Sequence, residues 1–366
     1  MASDVAKITP TEPQLGRTKG QRRVTMTDVA TAAGCSQATV SFVLNSTAGV
    51  KISEDTRLRV IEAARSLGYA APSFAHIQPN APLGPATDTQ PYRTVAFVVD
   101  QLATSPEAVV AIDGARQGTW AAGDVILVAQ TMNAPEMEEK TIRALVENGA
   151  DALVYMTIFT RKVHLPQFIQ NLTIPVALLN CYTDDHRFPS AVPSEIAGGQ
   201  TATQHLIDHG HRRIGHITGE PWMEAARDRL KGYRRALAAA DIGFDPALVI
   251  EGNWSANTGF EATQKLLALD DPPTAIFCQN DRMAVGCYEA LKEAGIRIPQ
   301  DVSVVGYDDE EISLHLHPQL TTLILPHRTM GQWAVAQRGL GDGQRYPILK
   351  VDCPLVRRSS VAKRAG

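Results

Sequence analysis

Two periods of hydrophobicity divide the chain. Over residues 24–70 apolar side chains recur every three or four positions and no strand pattern occurs, so the spacing predicts three short helices. The first is expected from Thr25, where Asp28 three positions on completes a capping-box-like start. Val29, Ala30 and Ala33 give it a small apolar face, and Gly34 supplies its C-terminal stop. Ser36 is placed to cap a second helix starting at Gln37. On that helix Val40, Val43 and Leu44 share one side, and Gln37, Ala38, Ser41, Phe42 and Asn45 share the other. A third helix, from Ser53, is expected to bury Leu58, Val60, Ile61, Ala64 and Leu67 before Gly68. From Thr94 the pattern changes. Short β-rich runs (TVAFVV, DVILVA, DALVYM, PVALLN, RIGHIT, TAIFCQN, DVSVVGYDD, TTLILP) alternate with helical stretches. That alternation predicts βαβ units and parallel sheets covered on both faces. Residues 93–366 are too many for one ordinary sheet, so two doubly wound lobes with a cleft between them are expected.

Between the two regions, residues 71–92 hold five prolines (Pro72, Pro79, Pro82, Pro85 and Pro91), the composition of a linker. Residues 1–23 are polar, basic and aperiodic, which predicts a disordered arm. Charge sharpens the division. Residues 1–70 carry nine Lys/Arg against six Asp/Glu, a balance of +3, whereas the whole chain of 366 residues is at −4. A basic head on an acidic body suits a polyanionic partner, although a solvated basic tail has the same composition. No apolar run approaches the roughly 18 residues of a membrane span, and no signal-like core opens the chain, so a cytoplasmic protein without membrane contact is expected. The five cysteines, Cys35, Cys181, Cys278, Cys287 and Cys353, are scattered without a CxxC pair, which fits a reducing compartment.

Two short helices joined by a Gly-containing turn, the second presenting small and polar side chains, make the helix-turn-helix arrangement. Small residues let such a helix enter a groove about 12 Å wide, where Ser, Thr and Asn hold phosphates and Gln reads an adenine edge. An ordinary three-helix bundle with a wet face would show the same periodicity. Phe42 on the wet side either meets a thymine methyl or tucks back against the domain.

The segments VTMTDVATAAGCSQATVSFVLN and ISEDTRLRVIEAARSLGY resemble the DNA-binding head of the lactose/galactose repressor family of bacterial transcription factors. The similarity continues through HLIDHGHRRIGHITG, GNWSANTGF, FCQNDRMAVGCYEALKEAGIRIPQDVSVVGYDDEE, LTTLILP and CPLVRRSS, from about residue 24 to 360. The resemblance implies an all-α head on a two-lobed, periplasmic-binding-protein-like α/β body. It further implies a homodimer on near-palindromic double-stranded operator DNA, and a small effector, often a sugar, in the interlobe cleft. On the matching positions, Thr25, Ser36, Thr39, Ser41, Asn45, Ser53 and Thr56 take phosphate-contacting or capping places. Gln37, Ala38 and Phe42 take base-reading places; Phe42 stands where the family often has Arg or His, so a guanine-reading donor is missing.

Ligands of such sheets sit beyond the carboxyl ends of the strands. Those ends carry Asp100, the run Thr104, Ser105 and Pro106, Asn280 and Asp308. By resemblance Asn280 and Asp308 are the hydroxyl-binding pair, Trp254 the stacking aromatic, and Arg227 or Arg229 the cleft arginine. Asn280 and Asp308 would equally suit turn capping. Two arginines two residues apart cannot share a helix face, so one alone should enter the cleft.

His205, His209, His211 and His216 cluster in HLIDHGHRRIGH, with the i, i+4 spacing of a metal pair, but no carboxylate or thiol completes a site and none is expected. No Walker A loop, GxGxxG, GxSxG or HExxH motif occurs, so neither a cofactor nor an enzymatic activity is expected. A sugar receptor or an α/β enzyme without DNA activity is the rival reading, and either leaves the head unexplained. The linker departs from the family's hinge helix. It has no Arg, Pro79 and Pro82 forbid a long helix, and Phe74 and Ile77 are its apolar candidates for a minor-groove wedge. A flexible linker with little DNA bending is therefore expected.

Overall fold

The computed structural model describes residues 25–44, 52–67, 92–102, 106–337 and 345–364, and the chain divides into two compact units, Met1–Thr89 and Gln90–Gly366. Asn45, Thr104, Ser105 and the linker positions Pro72, Phe74, Ile77, Pro79 and Pro82 lie outside the described residues.

In the first unit three helices, α1 (Met26–Ala33), α2 (Gln37–Leu44) and α3 (Glu54–Ser66), close on Val29, Ala30, Ala33, Val40, Val43, Val60, Ala63 and Ala64. Their starts are set locally. The Thr25 hydroxyl accepts from the Asp28 N–H while the Asp28 carboxylate accepts from the Thr25 N–H at 2.8 Å, a complete capping box. Gly34 adopts φ 64°, the left-handed conformation that a C-terminal cap requires and that a Cβ would strain. The third helix differs from its expected face. Leu58 is 54 % exposed and Leu67 38 % exposed, and Ile61 is half-buried. Val60, Ala63 and Ala64 fall at i, i+3 and i+4 and take the core; Leu58 lies two residues before Val60, more than half a turn away. Leu67 follows the last helical residue, so its direction is no longer set by the helix.

The second unit begins with β1 (Thr94–Val99), α4 (Pro106–Ala121), β2 (Val125–Gln130), α5 (Pro135–Glu147), β3 (Ala152–Lys162), α6 (Gln167–Gln170), β4 (Val176–Tyr182) and β5 (Ser190–Pro193). It continues through α7 (Glu195–Asp208), β6 (Ile214–Thr218), α8 (Glu224–Ala239), β7 (Val249–Glu251), α9 (Ala256–Leu267), β8 (Ala275–Cys278), α10 (Asp281–Glu293) and β9 (Ser303–Val305). The last elements are α11 (Ile312–His315), β10 (Thr322–Leu323), α12 (His327–Val335), β11 (Ile348–Val351) and β12 (Leu355–Val356). The N-terminal lobe is a parallel sheet in the order β11-β5-β4-β3-β1-β2, and the C-terminal lobe a parallel sheet in the order β7-β6-β8-β9, with β10 and β12 pairing antiparallel. Among the described residues the chain crosses between lobes three times: after β5, between β10 and α12, and between β11 and β12.

Each sheet is packed on both faces, because alternate residues of its central strands enter different cores. Along β1, Val95, Phe97 and Val99 face one cluster and Ala96 and Val98 the other. Along β8, Ile276 and Cys278 face one side and Ala275 and Phe277 the other. Edge strand β2 breaks the expectation of full cover: Val125, Leu127 and Val128 are 38 %, 44 % and 41 % exposed. The histidine cluster is structural. His216 is buried between the rings of Tyr233 and Phe277, at 4.7 and 4.6 Å, and His211 bonds Thr274 and Ser303, both at 3.0 Å.

Candidate functional site

Between the lobes lies a cavity of about 450 Å³ lined by the carboxyl ends of strands from both sheets. The N-terminal lobe supplies Gln101, Glu107, Ile158, Phe159, Thr160 and Asn180. The C-terminal lobe supplies Glu195, Glu220, Trp222, Met223, Ala225, Arg229, Asn253, Trp254, Asn280, Arg282 and Asp308, and the crossing before α12 supplies Leu325 and His327.

Arg229 is held in this wall by the helix pair α7 and α8. A Cβ on Gly199 would stand 2.2 Å from the Arg229 carbonyl oxygen, so glycine there lets the helices approach until Glu195 meets the guanidinium. Arg229 donates to the Glu195 carboxylate at 2.7 and 3.0 Å, donates to the Gln279 carbonyl, and lies 3.7 Å over the Tyr307 ring. Burial by itself would lower its pKa, but the carboxylate of Glu195 and the neighbouring Tyr307 and Asp308 hold it above the ordinary value.

Asp308 follows β9 with φ 105°, a conformation an L-residue adopts only when its surroundings impose it. Its N–H donates to the Leu323 carbonyl at 2.8 Å, which fixes the turn. The side chain is 8 % exposed, and its Oδ1 forms an ion pair with Arg229 at 3.6 Å, beyond hydrogen-bond distance, and has no hydrogen-bond partner among the described residues. Burial raises its pKa well above the usual carboxylate range, with Arg229 opposing. The same lack of a partner holds for the indole Nε1 of Trp254 and for both ring nitrogens of His327. Burial pushes His327 down to about 4, so its ring is neutral at pH 7, with one donor and one acceptor nitrogen. A carboxylate oxygen of Glu107 lies within 4.8 Å of those of Asp308 and Glu310.

Asn280 lines the cavity and also caps α10: its Oδ1 accepts from the Met283 N–H at 2.9 Å and its Nδ2 donates to the Trp254 carbonyl at 3.0 Å. The amide thereby positions Trp254, whose ring fills the space left by Gly219, where a Cβ would stand 1.9 Å away. Three nominated residues turn elsewhere. Asp100 accepts from the Ile158 and Gln101 N–H groups, each at 2.9 Å, and from Arg161 at 3.2 Å, and is spent inside the N-terminal lobe. Arg227 donates to the carbonyls of Pro221 and Trp222 at 3.1 and 2.7 Å, on the outer side of α8. Pro106 opens α4 and does not line the cavity.

In the head, Ser36 Oγ accepts from the Thr39 N–H at 3.1 Å and contacts the Thr39 hydroxyl at 2.8 Å; Ser53 and Thr56 repeat the arrangement at 3.3 and 2.8 Å. Gln37 is exposed at the start of α2, and Thr25 at that of α1. Of Ala38, Ser41 and Phe42 the helical backbone is described.

Residues 25–72 match the model for bacterial regulatory proteins of the lacI family, and residues 203–361 match that for a periplasmic binding protein-like domain. The HTH-type transcriptional repressor PurR of Aliivibrio salmonicida is 30 % identical over 342 residues, covering 93 % of this chain and 99 % of that protein. The chain belongs to the lacI family. A second relative, PurR of Vibrio cholerae, is 32 % identical over 308 residues, covering 84 % of this chain and 88 % of its own. Among solved structures, a complex of the transcriptional regulator CelR with cellobiose matches with a TM-score of 0.62 at 29 % identity, covering 92 % of this chain and all of that one. The Lac repressor dimer bound to operator and the anti-inducer ONPF matches with a TM-score of 0.60 at 27 % identity, over 93 % of this chain and all of the other. This lacI-family chain is thus a DNA-binding transcriptional regulator with an effector-binding domain.

Of the cavity wall of this regulator, Glu195, His327, Phe159 and Trp222 were not nominated from the sequence. Glu195 had a detectable signal, since a buried cleft arginine requires a carboxylate. His327 had none: a lone histidine after a proline reads as a helix start.

Proposed function

We propose that the protein is a homodimeric repressor whose operator affinity is set by a neutral polyhydroxylated effector, a carbohydrate, held in the interlobe cavity. The carrying observation is the set of buried polar atoms around that cavity that have no hydrogen-bond partner among the described residues: Asp308 Oδ1, Trp254 Nε1 and both His327 nitrogens. Each such atom costs about 1–3 kcal/mol when left unpaired. Together they call for a ligand that donates and accepts at several points, which is what a ring of hydroxyls does. Charge narrows the class. Glu107, Glu195 and Glu220 face the cavity against Arg229 and Arg282, with Glu195 already matched to Arg229 and Arg282 paired with Glu310. An anionic ligand would meet excess carboxylate there. Trp254 offers an apolar face of the kind that stacks on a pyranose.

Asp308→Ala is expected to lower sugar affinity tenfold or more while leaving operator affinity within about twofold, since a lost hydroxyl contact is worth about 1–3 kcal/mol and the operator is bound by the other unit. Calorimetry on a sugar panel, paired with mobility shifts on the protein's own upstream DNA, measures both. Unchanged sugar binding in the variant removes Asp308 from the site.

Operator contact is assigned to Thr25, Ser36, Thr39, Ser41, Asn45, Ser53 and Thr56 on phosphates and to Gln37, Ala38 and Phe42 on base edges. The exposed start of α2 supports the first group, since hydroxyls at a helix N-terminus sit beside free backbone N–H groups. Gln37→Ala should relax preference at one base pair by about 1–3 kcal/mol, whereas Ser36→Ala should weaken all sequences alike. Binding titrations on operator and scrambled duplexes separate the two; equal loss on both for Gln37→Ala assigns that residue to the backbone.

A dimer is supported by the outer edge of the N-terminal sheet at β2, an edge that no other described strand pairs. Trp120, Val125, Leu127, Val128 and Met132 are exposed together on α4, β2 and the turn that follows. An uncovered apolar edge strand is a pairing surface.

A further inference from the structure

The mouth of the cavity carries two aromatic side chains that the polyol reading does not use. Phe159 comes from the N-terminal lobe and Trp222 from the C-terminal lobe, and their rings meet edge to face, centroids 5.8 Å apart at 88°. Both line the same cavity as Trp254 and Asp308. Trp222 is 61 % exposed and Phe159 38 % exposed, so neither is there to fill a core.

Each is nevertheless held in place by polar groups spent on that purpose. Phe159 sits where β3 slips register against β4, between Met156 and Arg161. The buried Asn180 braces that bulge, its Nδ2 donating to the carbonyls of Thr157 and Ile158 at 3.0 and 2.8 Å. Trp222 rides on the loop before α8, which Arg227 ties down through the carbonyls of Pro221 and Trp222. The lobes are also joined where the Tyr182 hydroxyl of the N-terminal lobe donates to the Glu224 carboxylate of the C-terminal lobe at 2.9 Å. The two lobes therefore present rings to one another across the opening on braced backbone.

Volume argues in the same direction. The cavity of about 450 Å³ exceeds the space of one hexose, which has the mass of about ten waters at about 30 Å³ each. The polar wall of Asp308, Arg229 and His327 suits one ring. The remaining space ends at aromatic faces, which recognise the apolar face of a sugar.

We propose that Phe159 and Trp222 form an outer subsite for the second ring of a glycosidically linked effector, so that the cleft is specific for a disaccharide over its free monosaccharides. The inference rests on the carbohydrate reading above. Because the two rings already touch, the second sugar ring packs along the exposed surface of the pair rather than between them.

The test is calorimetry on the full-length protein with glucose, galactose and mannose and with cellobiose, maltose, lactose and mannobiose. A disaccharide is expected to bind at least tenfold tighter than either of its component sugars. Trp222→Ala should erase that ratio, costing the disaccharide at least tenfold more affinity than its component monosaccharides, and Trp222→Tyr, which keeps a ring face, should restore most of it. Phe159→Leu should reduce the ratio as well. Melting curves that match the parent keep these variants interpretable, and at 61 % exposure Trp222 is not expected to support the fold. Preference for a monosaccharide, or an equal loss for both classes in Trp222→Ala, overturns the outer subsite and leaves the carbohydrate reading standing. Failure of every sugar to bind overturns both.

Discussion

Replacing Arg229 by Met is expected to cost about 3–5 kcal/mol of stability in the effector-binding unit, because it strands the buried Glu195 carboxylate. The guanidinium is 4 % exposed and the carboxylate 3 %, so water cannot take the place of the lost partner. The Gln279 carbonyl loses its donor and the Tyr307 ring its cation in the same change. Removing both ends, as Glu195→Leu with Arg229→Met, should recover most of the loss, since a buried ion pair exchanged for packed apolar side chains is often neutral. Urea titrations of the two single variants and the double variant measure this directly. A double variant no more stable than Arg229→Met shows that the pair contributes through its other contacts instead. The double variant should still fail to bind effector, because the guanidinium of the polar wall beside Asp308 is gone.

If the chain pairs as proposed, Leu127→Asp is expected to convert that dimer to monomers and to lower operator affinity by about 10²–10⁴, the range lost when two linked half-site contacts become independent. Leu127 is 44 % exposed in the outermost strand of its sheet, among Val125 and Val128 on the same strand and Trp120, at 64 %, on α4. A carboxylate placed there must be desolvated for the strand edge to be covered, and that cost opposes association. The fold itself should be untouched, because the strand's other neighbour, β1, pairs with it through the backbone. Sedimentation equilibrium gives the mass and mobility shifts the affinity. A variant that remains dimeric moves the interface away from this edge.

The features legible in the sequence are those decided within a few residues. The capping box of Thr25 and Asp28, the Gly34 stop, and the Ser36–Thr39 and Ser53–Thr56 pairs each join positions three apart, or use one residue's own backbone freedom. They are therefore written in local order. The central strands β1, β4, β6 and β8 were legible for a related reason. Buried on both faces, they must be nearly continuous apolar runs whatever their neighbours are. Short strands β5, β7, β11 and β12 escaped. They are two to four residues long, as the legible β8, β9 and β10 also are, so length does not mark them; pairing with a partner elsewhere in the chain makes them strands.

The cavity divides along the same line. That only one of Arg227 and Arg229 could enter it followed from helical geometry in the sequence alone. Which one was decided by the crossing of α7 and α8 at Gly199, which brings Glu195 to Arg229 and leaves Arg227 to the Trp222 loop. Asp100 stands at a strand end, as a ligand-binding residue should, but the bulge in β3 turns the Ile158 N–H toward it and uses its carboxylate. Asp308 and Trp254 were legible through their motifs, whereas the lack of partners for their polar atoms is a statement about everything packed around them. His327, Phe159 and Trp222 belong to that second kind: their meaning lies in what stands opposite across the cleft. Local order determines caps, helices and buried strands because their partners are near in the chain; the cleft's chemistry is a relation between distant segments, and only their packing decides it.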